Sequence, residues 1–222
     1  MKTYRARLLL SGFVTHDVRR YVLTRPEGFE FKPGQGTEIA IDTPDWHKAH
    51  RPFTPTSLPG DGALEFTVKS YRDRGGVTSV LPGLDPGTEF TLTPAFGTIT
   101  YQGPGTFIAG GAGITPMLAI VRDLARRGEL GGHRMLFSNK TPADVVCERE
   151  LRHCFGDDLV LTCTRGAAPG YESSRINREF LAEHVRDFGA RFYVCGPPGF
   201  AKDVTAALRE LGADADALIF ED

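Results

Sequence analysis

The amino-acid sequence predicts a two-part α+β protein, an N-terminal antiparallel β-barrel followed by a C-terminal α/β portion on a five-stranded parallel sheet. Three observations support this. In the first half apolar and polar residues alternate with period 2, so each short run buries one face. Glycine- and proline-rich turns separate those runs at short intervals, as in barrels and sandwiches. After Gly103-Pro104-Gly105 the rhythm changes to strand-like runs alternating with helical patterns, the signature of parallel βαβ units under right-handed crossovers. The expected domains are therefore 1–103 and 104–222.

Taken in order, Leu64, Phe66 and Val68 alternate with Glu65, Thr67 and Lys69, and Phe90 and Leu92 with Thr91 and Thr93. Pro33-Gly34, Pro59-Gly60-Asp61-Gly62 and Asp85-Pro86-Gly87 supply turns. Beyond the boundary, strand-like runs fall at 106–110, 134–138, 158–163, 191–195 and 217–220. Two intervening segments are amphipathic at helical spacing, through Met117, Ile120, Val121 and Leu124 and through Phe200, Val204, Ala207, Leu208 and Leu211. A net charge of -2 gives no bulk attraction to nucleic acid or an anionic membrane. No apolar run is long enough to span a bilayer, and the opening MKTYRARLLLSGF is too short in apolar residues for a secretory signal, so a cytoplasmic protein is expected. Cys147, Cys154, Cys163 and Cys195 form no Cys-x-x-Cys pair and have no iron–sulfur spacing; reduced thiols are expected, and the scattered histidines argue no metal site.

Chemistry concentrates in a few stretches. Thr106 to Leu118, TFIAGGAGITPML, reads as strand, tight turn and helix, with Thr115 expected at the N-cap and Pro116 at the first helical position. Gly110, Gly111 and Gly113 would let backbone N–H groups approach a phosphate at the helix start. The spacing is not the dinucleotide fingerprint G-x-G-x-x-G, so a plain capped helix is the alternative. A second strand end, Cys195-Gly196-Pro197-Pro198, shares one cleft with this turn if the first and fourth strands of the parallel sheet are neighbours. In the first half, Arg51-Pro52-Phe53-Thr54 places a cation, a ring and a hydroxyl within one short segment. Arg74-Gly75-Gly76-Val77-Thr78-Ser79 reads as a glycine-led helix start with a hydroxyl cap, again suited to an anion or else a plain loop.

Together, Arg51-Pro52-Phe53-Thr54, Val68-Lys69, Gly75-Gly76-Val77-Thr78 with Leu81, Gly111 to Pro116, and Cys195 to Pro198 resemble, in that order, the ferredoxin–NADP reductase family of flavoenzymes. The resemblance runs along nearly the whole chain. It implies that Arg51 meets a flavin phosphate, that Phe53 lies against the isoalloxazine where the family usually has Tyr, and that Thr54 takes the family's Ser position near flavin N5. Val68 and Lys69 would give backbone contacts to the flavin, with Tyr71 near an adenine, and Gly75, Gly76, Val77 and Thr78 would bind its phosphate. Gly111, Gly113, Ile114, Thr115 and Pro116 would receive the nicotinamide nucleotide, bordered by Cys195, Gly196 and Pro197. Thr164 and Arg165 stand where NADP-dependent relatives carry Ser-Arg, and with Lys140 and Arg175 nearby they favour NADP(H) over NAD(H). Arg74-Gly75-Gly76 resembles the branch that uses FMN, while the rest fits FAD. Many relatives end in an aromatic residue over the flavin; this chain ends Ile219-Phe220-Glu221-Asp222, so Phe220 is the candidate cover and Glu221 matches a family acidic position. The implied activity is a flavin-dependent oxidoreductase that takes a hydride from NAD(P)H. With no iron–sulfur module in the sequence, electrons are expected to go to a separate acceptor such as ferredoxin, flavodoxin or a small molecule. A redox-sensing flavin module and an electron-transfer subunit of a larger complex are the alternatives.

Overall fold

Six strands, β1 (Tyr4–Phe13), β2 (Val18–Thr24), β3 (Thr37–Ile41), β4 (Arg51–Phe53), β5 (Ala63–Lys69) and β6 (Glu89–Leu92), pair antiparallel in the order β4-β3-β6-β1-β2-β5. The structure, a computed structural model, describes residues 2–71, 75–97 and 99–220, the last by its backbone alone. The two sheet edges meet just after β4, where Pro55 bridges Phe66 and the Thr56 N–H donates to the Glu65 carbonyl at 2.7 Å, so the sheet closes into a barrel. Leu8, Leu23, Ile41, Leu64, Phe66, Phe90 and Leu92 fill its interior, as their period-2 spacing requires. A short helix, α1 (Val77–Val80), plugs one end by burying Val77 and the following Leu81.

Five strands, β7 (Gly105–Gly110), β8 (Arg134–Asn139), β9 (Leu159–Cys163), β10 (Arg191–Cys195) and β11 (Leu218–Phe220), form the parallel sheet in the order β11-β10-β7-β8-β9. Helices α2 (Thr115–Arg127) and α3 (Glu148–Phe155) pack on one face through Met117, Val121, Leu124, Leu151 and Phe155. Helices α4 (Arg178–His184) and α5 (Pro198–Glu210) pack on the other through Phe180, Leu181, Val204 and Leu208. The connection between barrel and sheet is pinned: Tyr193 Oη donates to the Gly103 carbonyl at 2.7 Å and accepts from the Gln102 N–H at 2.9 Å. Tyr101 stacks on Tyr193 and meets His133 Nε2 at 3.1 Å. His133 Nδ1 lies 3.0 Å from the Leu130 carbonyl, to which its N–H donates. Burial lowers the His133 pKa from the ordinary value.

Candidate functional site

The chain order of the parallel sheet reverses between β7 and β10, which lie side by side with Ala109 opposite Cys195. This is the switch point at which an open parallel sheet leaves a crevice beyond its strand ends. A cleft of about 660 Å³ opens there. Of the sequence-predicted residues it brings together Gly111, Gly113, Thr115, Thr164, Cys195, Gly196 and Pro197, with Lys69 and Tyr71 from the barrel forming part of the wall. Ile114 is fully buried and Pro116 is buried too, so both anchor the turn from beneath instead of lining the cleft.

The glycine-rich turn is built differently from its sequence expectation. Residues 111–114 form a 3₁₀ turn that runs straight into α2, so Thr115 is the first helical residue and Pro116 the second. The Thr115 hydroxyl is no N-cap; it donates backwards to the Ala112 carbonyl at 3.0 Å. Nor are the glycines all there for a ligand. A Cβ on Gly113 would stand 2.4 Å from the Cys195 carbonyl oxygen, and one on Gly110 would stand 3.0 Å from the Phe200 ring. Gly196 is under the same ring, at 2.5 Å. These positions are small because the turn, the end of β10 and Phe200 pack into one another. Of the glycines in this turn, Gly111 combines a left-handed φ of 54° with nothing within 4 Å of an added Cβ, the behaviour expected of a backbone turned toward a ligand.

On the barrel side, Arg51 and Pro52 are exposed, Phe53 is half-buried and Thr54 is buried. The Arg51 guanidinium donates to the His50 carbonyl at 2.8 Å. Phe53, Val68 and Leu81 line one apolar hollow of about 20 Å³, so β4, β5 and the α1 turn converge at this barrel end. Among the described residues, nothing lies within 4 Å of a Cβ added at Gly75 or Gly76, at the start of α1. The predicted hydroxyl cap is absent, since α1 has no side-chain cap and Ser79 Oγ donates back to the Gly76 carbonyl at 2.7 Å. Val77 buries its side chain in the barrel core. Arg74 and Glu221, and the Phe220 side chain, lie outside the described residues; the Phe220 backbone pairs with Val194.

Thr164 and Arg165 are exposed just after β9, and their N–H groups donate to the carbonyls of Asn139 and Lys140 at 3.0 and 2.8 Å. Thr164 and Lys140 line the cleft. Lys69 forms an ion pair with Asp17 at 2.7 Å. Burial alone would raise the Asp17 pKa, but the Lys69 hydrogen bond and charge outweigh it and hold that carboxyl below its ordinary range. His16, Asp17 and Asp144 lie close enough to face one cation, yet the Lys69 ammonium already neutralises Asp17. None of the four cysteines is in a disulfide, and burial, with Glu150 nearby, pushes the Cys147 thiol up to about 11. Sequence reasoning missed Phe200 as a cleft wall and Asn139 as a buried cleft residue. Phe200 had been counted only toward the apolar face of its helix, and nothing in the neighbourhood of Asn139 sets it apart by spacing.

Residues 5–101 match the family described as "Oxidoreductase FAD-binding domain", and residues 107–206 match "Oxidoreductase NAD-binding domain". The chain belongs to the ferredoxin–NADP reductase family. It is 26% identical over 217 residues to the reductase component of propane 2-monooxygenase from Rhodococcus jostii, covering 91% of this chain and 58% of that protein. It is 26% identical over 208 residues to the ferredoxin--NAD(P)(+) reductase component of the naphthalene 1,2-dioxygenase/salicylate 5-hydroxylase systems of a Ralstonia species, covering 89% of this chain and 62% of that protein. The chain thus spans about three fifths of the length of these relatives. Its fold is shared with a ferredoxin NADP+ reductase from Neisseria gonorrhoeae solved with bound FAD and NADP, at a TM-score of 0.86, 20% identity and coverage of 100% of this chain and 98% of that one. Among the described residues, no helix is long and apolar enough to cross a membrane.

Proposed function

We propose that this family member is an NAD(P)H-dependent flavoprotein reductase, with a flavin dock on residues 1–103 and a nicotinamide dock on 104–222, that hands electrons to a separate acceptor. The observation that carries this reading is the switch-point cleft: Gly111, Ala112, Gly113, Thr115 and Cys195 line it from the parallel sheet, while Lys69 and Tyr71 line it from the barrel. Its size lies within the range of ordinary ligand sites. When both cofactors are bound, hydride transfer from nicotinamide to flavin is their own chemistry, and the protein supplies binding, orientation and exclusion of water.

Arg51 and the start of α1 at Gly75, Gly76, Val77 and Thr78 would hold the flavin's phosphates. Phe53 would lie against its ring, and Thr54 would give a hydrogen bond at the reacting edge. Pro52, Val68 and Lys69 would shape the contact through their backbone. The Gly111 turn at the head of α2 would receive the pyrophosphate of the nucleotide, aided by the positive end of the helix. Cys195 with Gly196 and Pro197 would border the nicotinamide, and Glu221, matching a family acidic position near the active site, is the remaining catalytic candidate. FAD is favoured over FMN by the motif set. NADP(H) is favoured over NAD(H) because Lys140 and Thr164 line the cleft and Arg165, next in the chain, bonds the Lys140 carbonyl through its N–H; a guanidinium fork there would suit a 2′-phosphate. Ferredoxin, flavodoxin or a small acceptor would take the electrons, and a cytoplasmic setting suits four thiols in no disulfide. The test is to load the protein with FAD or FMN, desalt it, and assay NADPH oxidation with ferredoxin, flavodoxin and ferricyanide in turn. Retained flavin and turnover with an acceptor support the proposal; protein that stays colourless after both flavins overturns it.

A further inference from the structure

Arg122 lies on α2, the helix that starts at the Gly111–Thr115 turn, and its guanidinium is tied to both halves of the molecule. Nε and Nη2 donate to the two carboxylate oxygens of Glu150 on α3 at 2.6 and 2.9 Å. Nη1 donates to Glu65 Oε1 on β5 at 2.8 Å and to the Thr56 carbonyl. Glu65 Oε1 also accepts from the Thr56 hydroxyl at 2.9 Å, so the barrel-side partners are themselves joined. β5 ends at Val68 and Lys69, and Thr56 follows Thr54 by two residues. One side chain therefore links the helix bearing the nicotinamide dock to both barrel segments assigned to the flavin. Burial would lower the Arg122 pKa, but the hydrogen bonds it donates to Glu150 and Glu65 outweigh this and raise it above the ordinary value, so the charge is permanent.

We propose that Arg122 is a positioning residue for hydride transfer, fixing the separation of the two docks without touching either cofactor. The proposal rests on the two-dock reading above. Its physical basis is that reacting atoms must lie about 3–3.5 Å apart, and a misplacement of roughly 1 Å costs on the order of 100-fold in rate. Lysine keeps the charge but lacks the planar fork that reaches Glu150 and Glu65 together. The experiment is anaerobic stopped-flow reduction of the flavin-loaded protein by NADPH, comparing wild type with Arg122→Lys and with Glu65→Gln, which loosens only the barrel side should the first variant fail to fold. Flavin retention and nucleotide affinity should stay within about threefold of wild type, while the reduction rate at saturating NADPH falls roughly 10- to 100-fold. The absorbance of the nicotinamide–flavin charge-transfer complex should weaken in parallel. An unchanged reduction rate, or losses of flavin and nucleotide affinity that account for the rate, would overturn the proposal. A wild type that NADPH does not reduce would instead overturn the two-dock reading.

An independent observation lies in the cleft. Asn139, at the end of β8, lines it, is 5% exposed, and has no hydrogen-bond partner on either Oδ1 or Nδ2. Its backbone is already engaged, the carbonyl accepting from the Thr164 N–H at 3.0 Å and hydroxyl at 3.3 Å. An ionised phosphate would satisfy only the amide's donors, whereas a hydroxyl both donates and accepts and so satisfies both ends. Across the crevice the strand ends run Cys195, Gly111, Asn139 and Thr164, placing Asn139 beyond the turn on the side away from Cys195. We infer that, in the nucleotide-bound cleft, Asn139 turns its amide to a ribose hydroxyl on the adenosine side. The test is Asn139→Leu, with calorimetric titration of ADP-ribose and of nicotinamide mononucleotide and thermal unfolding without ligand. Affinity for ADP-ribose should fall about tenfold and that for the mononucleotide should hold, while the ligand-free protein melts no lower, because a costly unpaired amide has been removed. A lower melting temperature with intact ADP-ribose binding would overturn the assignment, as would equal losses for both fragments. Wild type that binds neither fragment would overturn the nucleotide reading of the cleft.

Discussion

The two sides of the site are made by opposite means. On the parallel-sheet side the residues are locked by packing: Gly113 is pressed against the Cys195 backbone, and Gly110 and Gly196 sit under Phe200. On the barrel side Arg51 and Pro52 are exposed, and among the described residues nothing crowds Gly75 or Gly76 at the start of α1. On the proposed reading, the first dock is a crevice finished during folding and the second a surface that its ligand would complete. Damage to the first should therefore appear as lost stability and damage to the second as lost affinity.

The sharpest way to break this contrast is Gly113→Ala. A Cβ 2.4 Å from the Cys195 carbonyl forces the backbone apart, with an expected loss of about 3 kcal/mol in thermal or denaturant unfolding. A loss below about 1 kcal/mol would mean the turn yields easily. Next is Arg51→Ala, which should weaken flavin binding by about 1.5–3 kcal/mol, roughly 10- to 100-fold, and leave flavin-free stability within about 0.5 kcal/mol. Flavin titration and melting of the same protein check both halves of the statement. Arg165→Ala should reduce NADPH affinity about tenfold with little change for NADH, and equal losses would show that Arg165 does not read the 2′-phosphate. The smallest expected effect concerns pH. Burial lowers the His133 pKa in the folded chain, so the unfolded chain binds the extra proton first as pH falls. Stability should hold above about pH 6.5 and decline below it by at most about 1.4 kcal/mol per pH unit, and His133→Gln should flatten that slope.

The strand and helix periods were plain in the sequence because burial imposes them: Leu64, Phe66 and Phe90 face inward, and Met117, Val121 and Leu124 face the sheet. That Ala109 and Cys195 end neighbouring strands is only a condition in the sequence, which the strand order of the parallel sheet meets. What stayed hidden was whatever depends on distant partners. G-G-x-G spacing does not tell that Gly113 is small for Cys195 while Gly111 is left-handed for itself. The Thr115 hydroxyl resembled a cap until the preceding 3₁₀ turn offered it the Ala112 carbonyl. Arg122 sits on an amphipathic helix where any polar residue suits the outer face, and only the closed barrel brings Glu65 and Thr56 to it. Asn139 is invisible for the same reason, since its meaning lies in the partners it lacks.

The central claim is that both docks open on one cleft, so that nucleotide bound on the sheet side reduces flavin bound on the barrel side. Anaerobic mixing of the flavin-loaded protein with NADPH, and separately with NADH, tests it most directly. Rapid bleaching of the flavin's visible band that saturates with nucleotide concentration, at lower concentration for NADPH, is the predicted result. Nucleotide binding with no bleaching would contradict it and leave a sensing module in place of a reductase.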